Sequence, residues 1–140
     1  MVRLVQVTID AKDPHRLAKW WADLLGYEVE DGHDFVQSLL EEGVITEADV
    51  VRADGRLAFA NVAAASDPEE RGPRLHFQRE SETKAVKNRL HLDVPVDPDQ
   101  LDSEVERLQD LGAELVTIKT RDDERWANMR DPEGNEFCLQ

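Results

Sequence analysis

The sequence predicts an α+β fold made of two tandem βαβββ modules. Three observations carry this. The stretch "VQVTIDAKDPHRLAKWWADLLGYEV" (residues 5–29) is echoed by "LHLDVPVDPDQLDSEVERLQDLGAELV" (residues 90–116). Each copy runs through an alternating strand, Asp-Pro, an amphipathic stretch, Leu-Gly and a second short apolar run, the kind of internal repeat that decides a fold. Each copy is followed by further short strand patterns. A helix set between strands of one small sheet covers one face and leaves the other open.

The elements follow in order. Val5, Val7 and Ile9 alternate with Gln6, Thr8 and Asp10, the period of a half-buried strand. Asp13 caps a helix whose first residue is Pro14, where a missing N–H costs nothing. Leu17, Trp20, Trp21 and Leu24 form its apolar stripe, and Gly26 closes it in a left-handed conformation. Strands are expected over 27–29, 56–62 and 74–78. Residues 33–51 are an insertion that the second half lacks. Phe35, Val36, Leu39 and Leu40 have helical spacing within it, and "TEAD" opens another turn. Residues 63–73, "AAASDPEERGP", read as a flexible loop. In the second module a strand holds Leu90, Leu92 and Val94 on one side, with His91 and Asp93 on the other. Asp97 and Pro98 open a helix with the stripe Leu101, Val105, Leu108 and Leu111, ended by Gly112. Strands are expected over 114–118, 126–129 and 136–139, with a tight turn at Asp131, Pro132 and Gly134 before the last. The chain reads as one domain over 1–140: module 1 spans 1–80 with the insertion, and module 2 spans 88–140.

Strand parity selects side chains for the open faces. With Val7, Leu75, Phe77, Leu92, Phe137 and Leu139 facing the helices, Gln6, His76, Gln78, His91, Glu136 and Cys138 face the other way. Arg89 shares the parity of His91. Trp126 lies on a strand whose parity leaves either face open to it. His15 and His33 read as surface residues.

Composition narrows the function. There are 31 acidic and 17 basic residues, a net charge of −14, which speaks against nucleic-acid backbones and anionic membranes. Six of the basic residues fall between Arg71 and Arg89, either a solvated connector or a local field for an anion. No apolar run approaches the roughly 20 residues of a membrane span, and the N-terminus lacks a signal pattern, so a cytoplasmic location is expected. Cys138 is the one cysteine, which excludes an internal disulfide.

The pieces "DPHRLAKWWADLLGYEV", "NRLHLDVPV" with "DPDQL", and "MRDPEGNEFCL" resemble the vicinal oxygen chelate superfamily, which includes glyoxalases, bleomycin-type resistance proteins and extradiol dioxygenases. "FQRESETKAVKNRLHLDV" is similar to a bacterial glyoxalase-like branch. The resemblance implies that the modules form a cupped, barrel-like mixed sheet holding a divalent metal or a small ligand. It places metal ligands on the first and last strand of each module, here Gln6, Gln78 (or His76), His91 and Cys138. Gln6 lies seven residues before Asp13 and His91 six before Asp97, so the two positions correspond. Metal enzymes of the superfamily usually carry a glutamate where Cys138 stands, and Glu136 takes that place only if the last strand slips by two residues.

The expected cavity residues are thus Gln6, His76, Gln78, Arg89, His91, Trp126, Glu136 and Cys138. The cofactor is either one divalent ion (zinc, iron, nickel or manganese) or none, and a thiolate favours zinc or iron(II) over manganese. Without metal the same residues line a polar cavity, or His91 and Cys138 form a reactive pair. Arg89 either clamps an anionic group or pairs with a surface acid. The functional expectation is a glyoxalase-like protein binding a small molecule, acting as a lyase or isomerase that stabilises an oxyanion. The alternative is a metal-free sequestering protein of the antibiotic-resistance type. A homodimer is expected, with neither nucleic acid nor membrane as partner.

Overall fold

The structure, a computed structural model, describes residues 1–140. The chain divides into two compact units, Met1–Ser81 and Glu82–Gln140, a division that falls between the two modules. No helix is long and apolar enough to cross a membrane.

In the first unit, β1 (Gln6–Ala11), β2 (Glu28–Val29), β5 (Val62–Ser66) and β6 (Arg74–Arg79) form a sheet of order β1-β6-β5-β2. The β1–β6 pair is parallel, with Thr8 beside His76 and Asp10 beside Gln78. The helix α1 (Pro14–Leu25) packs over β5 and β6. Its ends match the sequence reading: the Asp13 carboxylate accepts from the Arg16 N–H, Pro14 opens the helix, and Gly26 ends it at φ 69°. Leu17, Trp20 and Trp21 are buried with Leu75 and Phe77 of the sheet.

Two expectations about this unit need correction. Residues 56–62 do not form one strand. Arg56–Phe59 (β4) pairs with Val50–Ala53 (β3) as a separate hairpin, and the sheet strand begins at Val62. The expected loop at 63–73 is strand as far as Ser66. Ala63, Ala64 and Ala65 carry no polar alternation to announce a strand, and alanine disfavours one locally. Pairing with β6 imposes it. The insertion adds α2 (His33–Glu41) and a short 3₁₀ turn, Glu47–Asp49, closed by a capping box between Thr46 and Asp49. Val36 is fully buried, whereas Phe35 is 60% exposed and meets Phe59 edge to face.

In the second unit, β7 (Leu92–Val94), β8 (Glu114–Arg121), β9 (Glu124–Arg130) and β10 (Glu136–Leu139) form a sheet of order β7-β10-β9-β8. Leu92, Val94, Ala127, Met129, Phe137 and Leu139 alternate onto the face that α3 (Leu101–Asp110) covers with Leu101, Val105 and Leu108. The helix begins later than Asp97 and Pro98 suggested, because Pro98–Gln100 winds as a 3₁₀ turn first. Leu111 is not part of the stripe: it ends the helix and is exposed. Leu90 is 88% exposed, since β7 starts two residues later than the alternation predicted. A bulge between Leu115 and Thr117 in β8 leaves Val116 exposed and returns Thr117 and Lys119 to the open face.

The turn before β10 is held by one buried acid. Asp131 accepts from the Glu133 and Asn135 N–H groups through Oδ1 and from the Asn135 side chain through Oδ2, at 2.9–3.0 Å. This turn sets where β10 begins, and therefore which residue of the last strand reaches the centre of the open face.

Candidate functional site

The first unit's open face carries Gln6, Thr8 and Asp10 on β1 beside Arg74, His76 and Gln78 on β6. The Arg74 guanidinium donates to Glu30 in a two-point pair at 2.7 and 2.8 Å and to the Gln6 side-chain oxygen at 2.6 Å. The bonds from Arg74, joined by one from the Ser66 hydroxyl, hold the Glu30 carboxyl below its ordinary range despite partial burial. Gln78 donates its amide to Asp10 at 2.8 Å. Gln6 and Gln78 are thus not neighbours. The register puts them at opposite ends of the parallel pair, four residue steps or roughly 13 Å apart along the strands, and the Gln6 oxygen is already bound to a cation. His76 lies between these ends, beside Thr8, and its ring makes no hydrogen bond.

His15 and His33 are not free surface residues. The His15 Nε2–H donates to the Phe59 carbonyl at 2.8 Å, and His33 Nδ1 accepts from the Leu57 N–H at 2.9 Å. Both tie helices of the first unit to β4.

The second unit's open face is where donors converge. Cys138 on β10 stands beside Asp93 on β7 and Asn128 on β9. His91 Nδ1–H donates to Asp93 Oδ1 at 3.0 Å, and the Cys138 thiol donates to Asn128 Oδ1 at 3.1 Å. One ligand atom from each of His91, Asp93 and Cys138 lies within 4.8 Å of the others. Burial raises the Cys138 pKa first, and the Asp93 charge and hydrogen bond raise it further, against the fields of Lys119 and Lys87. The thiol is therefore protonated at neutral pH, and its partners are carboxylate and amide oxygens rather than imidazole. This geometry does not support a His91–Cys138 reactive pair.

The remaining expected residues resolve individually. Trp126 lies opposite Ala127 and Met129, so it is on the open face, beside Lys119, with the Arg121 guanidinium 5.9 Å from its ring centre. Arg89 is exposed, outside any strand, and makes no ion pair. Glu136 shares the face of Cys138 but is committed elsewhere: Lys84 Nζ donates to it at 2.8 Å and the Asn88 N–H at 3.1 Å. The register pairs Glu136 with Arg130 and Cys138 with Asn128, so the last strand does not slip to offer Glu136 instead.

Burial alone would raise the Glu136 pKa, but the Lys84 ammonium and the backbone donors outweigh it and hold the group at about 2, below its ordinary 4.5. A carboxyl depressed on folding stabilises the fold above its unfolded pKa and loses that contribution as pH falls toward the folded value. Glu136→Gln is expected to cost on the order of 2 kcal/mol at pH 7 and to flatten the stability profile between pH 4.5 and 2. Urea melts across that window measure both effects, and an unchanged slope would show the ion pair to be inert.

Asp93 is the cluster member absent from the expected ligand set. Its signal was the spacing His-Leu-Asp, which puts two donors on one side of a strand.

A duplicated βαβββ sheet with donor-rich open faces defines the architecture of the vicinal oxygen chelate superfamily. A family model described as Glyoxalase-like domain matches residues 6–140, and the chain belongs to that family. A search of curated protein sequences returns no match. Among solved structures, the chain is similar to the fosfomycin resistance protein FosX from Mesorhizobium loti, at TM-score 0.65 and 14% identity, covering 100% of this chain and 91% of that one. It is also similar to a mutant FosX from Listeria monocytogenes complexed with Mn(II) and 1S,2S-dihydroxypropylphosphonic acid, at TM-score 0.63 and 12% identity, over 100% and 90%. A glyoxalase/dioxygenase from Nostoc punctiforme follows at TM-score 0.60 and 19% identity, over 98% and 88%. At these identities the likeness is one of fold.

Proposed function

We propose that this protein is a single glyoxalase-like domain that binds a small molecule on the open face of its second unit, with a divalent ion held by His91, Asp93 and Cys138. The observation that carries this reading is the convergence of imidazole, carboxylate and thiol donors within 4.8 Å. Tetrahedral zinc, with bonds of about 2.0–2.3 Å, spaces its ligands roughly 3.5 Å apart, within the 4.8 Å that spans these three donors. Nitrogen, oxygen and sulfur donors together suit zinc or iron(II) better than manganese. A bound ion supplies Lewis-acid polarisation of a substrate oxygen.

The chain's own residues divide the other tasks. Asp93 orients the His91 ring, Cys138 gives up its proton on metal binding, and the Asn128 amide, whose oxygen accepts the thiol proton in the metal-free state, turns its N–H toward the thiolate. Lys119 and Lys87 lend a positive field to an oxyanion, and Trp126 offers an apolar wall. Gln6, His76 and Gln78 are proposed as ligand contacts on the first unit's own open face, and Arg89 as one on the second unit. The reaction class is a lyase or isomerase of the glyoxalase kind, and the assembly is a homodimer.

Elemental mass spectrometry tests the reading, on untagged protein purified without chelator. Near-stoichiometric zinc, iron, nickel or manganese in the wild type, lost in His91→Ala, supports it. A metal-free wild type that takes up no added ion overturns it. The protonated, hydrogen-bonded Cys138 thiol favours a second reading, metal-free sequestration of a small molecule, recognised by saturable binding without turnover.

A further inference from the structure

The first unit holds an open groove of about 400 Å³ beside the start of α1, at the ends of β1 and β6. Lys12, His15, Arg52 and Arg79 line it, with Asp13 as its one carboxylate. In a chain of net charge −14, the three cations Lys12, Arg52 and Arg79 around one groove run against the composition. The Asp13 carboxylate accepts from the Arg16 N–H as the cap of α1, so the helix terminus already has its anion and the groove's character rests on side chains.

Two of the cationic or donor groups are held in place. Arg79 donates from Nη2 to the Ala60 carbonyl at 3.2 Å, and its backbone N–H bonds the Asn61 carbonyl. His15 is fixed through Nε2 to the Phe59 carbonyl. The Arg52 guanidinium is exposed and makes no ion pair or hydrogen bond. It comes from β3, whose hairpin with β4 has no counterpart in the second unit, so the repeat does not reproduce the groove. Val51 and Ala53 give it a small apolar wall. A planar guanidinium held at one end and a free one at the other suit an oxyanion with several acceptor oxygens.

We infer that this groove binds a small organic anion through a carboxylate or phosphate head, with a short apolar body against Val51 and Ala53. The site is independent of the donor cluster on the second unit.

An amide NMR titration of the full chain tests it, with inorganic phosphate and succinate as separate probes and sodium chloride at matched ionic strength as reference. The expected result is saturable shifts confined to residues 12–16, β3 and the end of β6 around Arg79, with about tenfold weaker binding in Arg52→Gln and wild-type binding in the control Arg107→Gln, which is not part of the groove's lining. Saturation by either probe supports the site, and which probe saturates names the head group. Shifts that sodium chloride reproduces, or equal binding in Arg52→Gln, overturn it. The variants' own spectra report that they fold.

Discussion

Replacing Asp131 by alanine is expected to destabilise the second unit by about 3 kcal/mol, because three donors lose a buried acceptor. The carboxylate is only 3% exposed and binds two backbone N–H groups and the Asn135 amide within a four-residue turn. The same turn fixes the start of β10 and so the position of Cys138 beside Asp93 and Asn128. Asp131→Asn keeps an acceptor for the two backbone groups and should lose about a third as much. Urea denaturation gives the stability, and amide exchange of Phe137 and Leu139 reports the register. If Asp131→Ala unfolds at the wild-type midpoint with unchanged exchange, the turn does not depend on this acid.

Trp21→Ala is expected to cost about 4 kcal/mol, the range for emptying a buried indole site. Trp21 is 1% exposed and packs edge to face on Trp20 at 5.3 Å, on the buried face of α1, the helix that packs over β5 and β6. Trp21→Phe, which refills part of the space, should cost less than half as much. Thermal and urea melts of both variants decide it. A Trp21→Ala midpoint within error of the wild type would mean that the helix relaxes into the cavity at little cost.

Much of the site's orientation was legible in the chain. Period-two alternation put Gln6, His76, Gln78 and Cys138 on open faces, and the structure keeps each there. Asp13, Pro14 and Gly26 announced both ends of α1. Where a signal was missing, the reading failed for a physical reason. The alanines of β5 carry no polarity pattern, so strand pairing alone reveals them. Arg56–Phe59 looked continuous with Val62 because both runs are apolar, yet they join different sheets.

The sequence by itself determined the duplicated strand–helix order, both ends of α1 and the side on which most strand residues stand, since all three depend on local geometry; it misplaced the start of α3 and left the side of Trp126 open. Tertiary structure decided which of those residues meet. Parallel register separated Gln6 from Gln78 and gave the Gln6 oxygen to Arg74. Lys84 and Asn88 claimed Glu136, and the Asp131 turn brought Cys138 beside Asp93. Register and pairing arise between segments far apart in the chain, and no periodicity within one segment encodes them.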